Sequence, residues 1–190
     1  MDIFKYNLIL GSASPRRQQL LKDAGFTFKT VSIDADESFS DSLKAQQIPL
    51  YLAKKKASVY PEKLKDDEIL ITADTVVWVD SVVLNKPAND FEAGQMLRFL
   101  SGKMHQVFTG VSITSPEKQI SFFDETKVYF KQLTDQEIDF YIKNYKPFDK
   151  AGSYGAQDWL GLIAIEKLEG SYFNVMGLPI HKVYEQLNLF

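Results

Sequence analysis

The run Leu8-Ile9-Leu10-Gly11-Ser12-Ala13-Ser14-Pro15-Arg16-Arg17 sets two guanidiniums directly after a small-residue turn. The apolar residues read as a buried strand. A helix then opens with Ser14 as cap and Pro15 at its first position, continues through Leu20, Leu21 and Ala24, and stops at Gly25. Arg16 and Arg17 thus fall in a first turn that already carries partial positive charge, where stability favours Asp or Glu. A ligand bringing negative charge resolves the misfit, because backbone N–H groups, serine hydroxyls and guanidiniums would converge on a phosphate. The alternative is a pair of solvated surface arginines. The unfavourable placement also predicts that replacing both makes the empty protein slightly more stable. The turn matches neither the G-x-x-x-x-G-K-[ST] phosphate loop nor the three-glycine dinucleotide fingerprint.

A second candidate is Asp74, which interrupts the apolar, β-branched run Ile69-Leu70-Ile71-Thr72-Ala73-Asp74-Thr75-Val76-Val77-Trp78-Val79. A carboxylate in such a strand is costly unless paired, metal-bound or protonated. It reads either as a general base or metal ligand on a rigid strand, or as a side chain that a bulge at Ala73-Asp74 releases to solvent. Lys86, just past the following hairpin strand, could return towards it, although alone it reads as a surface lysine.

The third candidate is Asp149-Lys150-Ala151-Gly152-Ser153-Tyr154-Gly155-Ala156-Gln157. Its glycines allow close backbone approach to a ligand, Tyr154 could pack a base, and the two-faced amide of Gln157 could read a base edge. An ordinary glycine-rich loop with a packed tyrosine is the alternative. Of Lys54, Lys55 and Lys56, on an expected helix, at most one or two can point into a cleft. The acidic stretch from Asp34 to Glu37 could supply a magnesium ligand or be an exposed loop.

The elements that must position these groups alternate without repeats. Strands are expected at 26–33, 69–79, 82–84, 105–114, 120–131 and 162–168, with Asp80-Ser81 as a hairpin turn. Helices are expected at 49–60, stopped near Pro61, at 90–100 with Phe91, Met96, Leu97 and Leu100 as apolar positions, and at 179–187. Another runs from a Thr134–Glu137 capping box to about Tyr145. Hairpin-paired long strands flanked by helices imply a mixed sheet. The 190 residues, 45% of them hydrophobic, suffice for one compact domain, with a two-lobed one as the variant. A net charge of −3 argues against a general nucleic-acid binder, and the lack of cysteine excludes disulfides and thiolate metal sites. With only His105 and His181, a histidine-rich zinc site is not expected. No membrane-length apolar run or leader-like opening is visible, so a cytoplasmic location is expected.

Taken in order, these segments resemble the Maf family, the septum-formation-associated group of nucleoside triphosphate pyrophosphatases. The resemblance is carried by Ser12-Ala13-Ser14-Pro15-Arg16-Arg17, Asp36-Glu37, residues 53–57, Ala73-Asp74-Thr75-Val76-Val77 and Lys86-Pro87. It continues through Ser101-Gly102 with His105, Val107 and Thr109-Gly110, then residues 149–157 and residues 170–179. It implies an α/β fold, an elongated mixed β-sheet with flanking helices and two lobes around a cleft, shared with the inosine triphosphatase group, as a single domain over residues 1–190. The implied activity is hydrolysis of a nucleoside triphosphate to monophosphate and pyrophosphate with a divalent metal cation, Mg²⁺ or Mn²⁺. The Gly-Ser-Tyr-Gly-Ala-Gln segment resembles the branch acting on dTTP and UTP.

Carried over by position, the resemblance implies Asp74 as proton acceptor, and Asp74 with Glu37 as metal partners. It implies Arg16, Thr75 and Gln157 for base preference, and Ser12, Arg17, Lys56 and Lys86 along the phosphate path. A homodimer and a house-cleaning or cell-division role are also implied, with neither nucleic acid nor membrane as partner. The chain departs from the family pattern at Asp158-Trp159, where many relatives have glycine after the glutamine, and at Asn85, where glycine or glutamate is common. The competing reading is a nucleotide-binding regulator of septum formation without turnover, which has little need for a costly carboxylate at position 74.

Overall fold

The computed structural model describes residues 6–60 and 62–190; the helix stop expected at Pro61 and the first five residues, read above for a leader, lie outside them. The chain divides into two compact units. The first holds the chain through Asp74, Thr109–Asp124 and Gly177–Phe190, and the second Thr75–Phe108 and Glu125–Met176. Among the described residues no helix is long and apolar enough to cross a membrane.

In the first unit, strand β1 (Asn7–Leu10) leads into helix α1 (Pro15–Asp23) and strand β2 (Phe28–Thr30), and helix α2 (Gln47–Ser58) leads into strand β3 (Glu68–Val79). β1 pairs in parallel with β2 on one side, Leu8 opposite Phe28, and with β3 on the other, Leu10 opposite Ile71. The spatial order β2-β1-β3 reverses the direction of winding at β1, and ligands of open α/β sheets gather at the carboxyl ends of strands flanking such a reversal. β1 and the start of β3 read as unbroken apolar runs because both faces are covered, with Leu8, Ile9, Leu10, Ile69, Leu70 and Ile71 all buried. β2 is shorter than the 26–33 expected: its pairing with β1 runs from Phe28 to Thr30 and closes with the Val31 N–H donating to the Leu10 carbonyl at 2.9 Å.

The second unit takes β3 from Thr75 onward and the short strand β4 (Val82–Leu84), paired antiparallel through the Asp80-Ser81 turn. Both turn residues have positive φ, 49° and 66°, as a two-residue hairpin matched to strand twist requires. Helix α3 (Asp90–Leu100) follows, then strands β5 (Met104–Thr114) and β6 (Gln119–Phe130) and helix α4 (Asp135–Tyr145) with the expected capping box. After a 3-10 turn (Ala151–Ser153) come helix α5 (Trp159–Ala164) and strand β7 (Ile165–Glu169), then helices α6 (Tyr172–Met176) and α7 (Ile180–Leu187), the last in the first unit. The seven strands form one mixed sheet in the order β2-β1-β3-β5-β6-β7, with β4 beside β3.

Two expectations need correction, and one helix lies where none was expected. The segment 162–164 is helical rather than the start of a strand: Asp158 takes the N-cap position, and Gly161 sits so close to the Ala156 carbonyl that a Cβ would meet it at 2.1 Å. A short apolar run does not by itself separate buried helix from strand. Phe91 is 72% exposed instead of core-facing. The Asn89 cap phases α3 so that Ala93, Leu97 and Leu100 turn inward, leaving Phe91 on the far face. The helix α6, in the Gly170-to-Pro179 motif, was not foreseen.

Candidate active site

The charged groups of the first unit gather where β1 and β3 leave their shared pairing. Asp74 lies three residues beyond Ile71, the last β3 residue opposite β1, and stays in the strand with 9% exposure. The alternative of a bulge releasing it to solvent is therefore not realised. Thr72, on the same strand face two residues earlier, donates its buried hydroxyl to the Ala53 carbonyl of α2 at 2.7 Å. One helical turn past Ala53, Lys56 Nζ reaches Asp74 Oδ1 at 2.6 Å and Glu37 Oε1 at 2.8 Å. The approach of α2 is set partly by Gly110 of β5, where any Cβ would fall 2.3 Å from the Pro49 backbone.

The neighbouring Lys55 holds the 34–38 loop, donating to Asp36 at 2.8 Å and to the Ser38 carbonyl at 3.1 Å. That contact and two hydrogen bonds from Ser38 hold the Asp36 carboxyl well below the usual carboxylate range. Adjacent lysines thus do different work, Lys55 docking the loop and Lys56 bridging two carboxylates. Lys54 is exposed.

Arg17 is a brace as well as a charge. Its Nε donates to the Gly177 carbonyl at 2.8 Å, and one terminal nitrogen donates to the Ala73 carbonyl at 2.8 Å and to Ser12 Oγ at 3.3 Å. Burial draws its pKa below the ordinary arginine value, and the Asp74 carboxylate pulls in the opposite direction. Ser12 Oγ also accepts the Ser14 N–H at 3.2 Å, so both its lone pairs are used and its own proton is left to give. Ser14 occupies the N-cap position of α1, but its side chain makes no capping bond and no acidic residue enters the first turn. Arg16 is half-buried in that turn.

Thr75, Lys86 and Gln157 belong to the second unit. Thr75 is half-buried in β3, and Lys86 is exposed just past β4. The Asn85 carbonyl accepts the Gly152 N–H at 3.2 Å, which ties the Lys86 segment to the glycine-rich loop. Tyr154 does not present a face to a base: it is 5% exposed, edge-on to Phe130, with its hydroxyl 2.7 Å from His105 Nε2. The packed-tyrosine alternative holds there. Gln157 Oε1 is buried and has no hydrogen-bond partner, a condition worth about 1–3 kcal/mol of lost solvation.

The loop around Gln157 is pinned by groups the sequence reading missed. Tyr141, fully buried on α4, donates to Asp158 Oδ2 at 2.8 Å and accepts the Gly155 N–H at 3.1 Å. Lys150 lies 3.5 Å from the same carboxylate oxygen. A side chain at position 155 would displace this carboxylate, since a Cβ on Gly155 would stand 2.7 Å from Asp158 Oδ2. The Asp158-Trp159 departure from the family pattern was the only signal in the sequence.

Fold and charges together define a mixed-sheet α/β protein with cations and a strand-borne carboxylate at a winding reversal. The profile of the family described as "Maf-like protein" matches residues 7–190, and the chain belongs to that family. It is 51% identical over 187 residues to the dTTP/UTP pyrophosphatase of Phocaeicola vulgatus, covering 98% of this chain and 97% of that one. The protein of the same name from Parabacteroides distasonis is 49% identical over 191 residues, covering 100% and 98%. That from Porphyromonas gingivalis ATCC 33277 is 48% identical over 192 residues, covering 100% and 96%. Among solved structures, the Staphylococcus aureus Ham1 protein is similar over 65% of this chain and 71% of that one, at 11% identity and a TM-score of 0.40, too distant a likeness to reason from.

Proposed function

We propose that the chain hydrolyses dTTP and UTP to the monophosphate and pyrophosphate, with Asp74 as general base. The observation that carries this reading is the Asp74 carboxylate, held in β3 against Lys56 at 2.6 Å and near the half-buried Arg17. The whole-length relatives named dTTP/UTP pyrophosphatase support the substrate class.

In the proposed reaction, a water oxygen attacks the α-phosphorus, its proton passes to Asp74, and the α–β bridging P–O bond breaks to release pyrophosphate. Arg16, the Ser12 hydroxyl, Lys56 and Lys86 offset the roughly four negative charges of the triphosphate, with the α1 terminus adding backbone N–H groups. Arg17 contributes its charge from a position fixed by backbone carbonyls. Thr75, Arg16 and Gln157 set base preference, the amide of Gln157 meeting a pyrimidine ring N–H and carbonyl in one plane.

A divalent cation fits the donor set. Among the described residues no group of three or more His, Cys, Asp or Glu gathers as a dedicated cage. Glu37 and Asp74, however, already share one ammonium, and two carboxylates completed by substrate phosphates are the usual manner of holding magnesium. When bound, the cation would polarise the phosphorus centre.

The test is pyrophosphate release from dTTP, UTP, CTP, dATP and dGTP, with and without Mg²⁺. Metal-dependent turnover with dTTP and UTP foremost is expected. A purine triphosphate hydrolysed faster than UTP would overturn the subgroup and the role of Gln157, and absence of turnover on every nucleotide would overturn the enzyme reading.

A further inference from the structure

One hydroxyl, Tyr141 Oη, touches both ends of the turn that carries Gln157. The Asp158 N–H donates to the Gly155 carbonyl at 3.1 Å, closing a four-residue turn from Gly155 to Asp158 with Gln157 in its third place. Tyr141 Oη accepts the N–H of the first residue and donates to the carboxylate of the last. Asp158 could have capped α5 with that carboxylate, and it makes no such bond. Its oxygen instead turns back to Tyr141, with Lys150 at 3.5 Å. Gly155 leaves the space that this return needs.

The clamp fixes the backbone from which the Gln157 side chain extends, and the amide oxygen there is buried without a partner. An acceptor kept in that state suits a ligand edge bearing an N–H. Uracil and thymine have one at the ring position between their carbonyls, and cytosine has a lone pair at the same position.

We propose that Tyr141 is a positioning residue for base selection, its hydroxyl and the Asp158 carboxylate together fixing the Gln157 turn so that the enzyme prefers an imide-bearing pyrimidine over cytosine. The inference rests on the reading of Gln157 given above. Tyr141 itself touches no substrate.

The test compares UTP, CTP and a probe without a base, inorganic tripolyphosphate as competitive inhibitor. Tyr141→Phe keeps the ring in the core and deletes only the hydroxyl. The ratio of kcat/KM for UTP over CTP is expected to fall about tenfold or more, mostly through KM for UTP, while kcat stays within about threefold. Inhibition by tripolyphosphate is expected to stay within about twofold of the unsubstituted chain, which general loosening of the fold would not allow. Asp158→Ala cuts the same clamp from the other end, should Tyr141→Phe fold poorly, and Asp158→Asn, which keeps an oxygen for the phenol, is expected to retain most of the ratio.

A UTP-to-CTP ratio within about twofold of the unsubstituted chain in Tyr141→Phe and Asp158→Ala, alongside loss of preference in Gln157→Ala, would overturn the clamp and leave the reading of Gln157 standing. An unsubstituted chain that does not discriminate UTP from CTP, or a Gln157→Ala variant that keeps the preference, would overturn that reading itself and the clamp with it.

Discussion

Replacing Arg16 and Arg17 one at a time separates two roles that the sequence presents as one. Arg17 donates to the buried carbonyls of Ala73 and Gly177 and to Ser12 Oγ. Arg17→Gln is too short to span those acceptors and loses the charged bonds to all three. Hydrogen bonds from a charged group are worth about 1.5–3 kcal/mol each, and partial re-pairing brings the combined loss to about 3 kcal/mol. In a chain of this length each kcal/mol moves Tm by about 2–4 °C, so Arg17→Gln is expected to melt roughly 6–12 °C lower. Arg17→Lys is expected to recover little, since an ammonium cannot reproduce the planar fork. Arg16→Gln removes a cation from the wrong end of a helix and is expected to leave Tm unchanged or slightly higher, by about 0.3–1 kcal/mol of relief. Differential scanning calorimetry with and without UTP decides both points, with Arg16→Gln losing part of the nucleotide-induced rise. The expectation that the double replacement stabilises the empty protein is thereby reversed. An Arg17→Gln variant melting within about 2 °C of the unsubstituted chain would refute the brace, because the lost bonds would then be worth under about 1 kcal/mol.

Three further outcomes follow from the same geometry. Burial holds the His105 pKa down to about 3, against 6.5 for the free group, so the folded chain resists a proton that the unfolded chain takes. Stability is therefore lost as pH falls below about 6.5, with a slope approaching 1.4 kcal/mol per pH unit, and urea midpoints between pH 7 and pH 4 should fall less steeply in His105→Gln than in the unsubstituted chain. Glu37→Gln keeps shape and removes charge at a half-exposed carboxylate, so Tm should hardly move while the Mg²⁺ concentration for half-maximal turnover rises about tenfold, read by metal titration of pyrophosphate release. Thr72→Val deletes the hydroxyl that ties β3 to α2, costing about 1–2 kcal/mol in urea denaturation and lowering kcat/KM, because Lys56 loses its fixed reach to Asp74.

How legible each feature was in the sequence depended on how local its cause is. The capping box of α4, the Asp80-Ser81 turn and the buried strands β1 and β3 rest on neighbouring residues and could be read directly. The Asp74 anomaly was legible because a carboxylate in an apolar strand violates a local rule. The brace of Arg17 was not, since its acceptors are carbonyls 56 and 160 residues away, and backbone carbonyls leave no mark in side-chain identity. Tyr154 and Tyr141 show the same limit in reverse. The tyrosine beside the glutamine looked ligand-facing and is packed on His105, while one in the middle of an amphipathic helix holds the loop. The helical start at 159–164 escaped because Ala156 and Gly161 make their close approach through a turn, which periodicity does not encode.

The most direct test of the central claim is single-turnover and steady-state kinetics of Asp74→Asn with UTP and Mg²⁺. Asparagine keeps the size of the side chain and the place beside Lys56, and the Lys56–Glu37 contact survives the change. Nucleotide binding measured by calorimetry should stay within about threefold, and the melting temperature within a few degrees. The account predicts a fall in kcat of at least about a hundredfold, the usual scale for loss of a general base. A variant that binds UTP normally and keeps more than about a tenth of the original kcat would leave under about 1.4 kcal/mol of the barrier to Asp74, and the assignment of this carboxylate as the base would be contradicted.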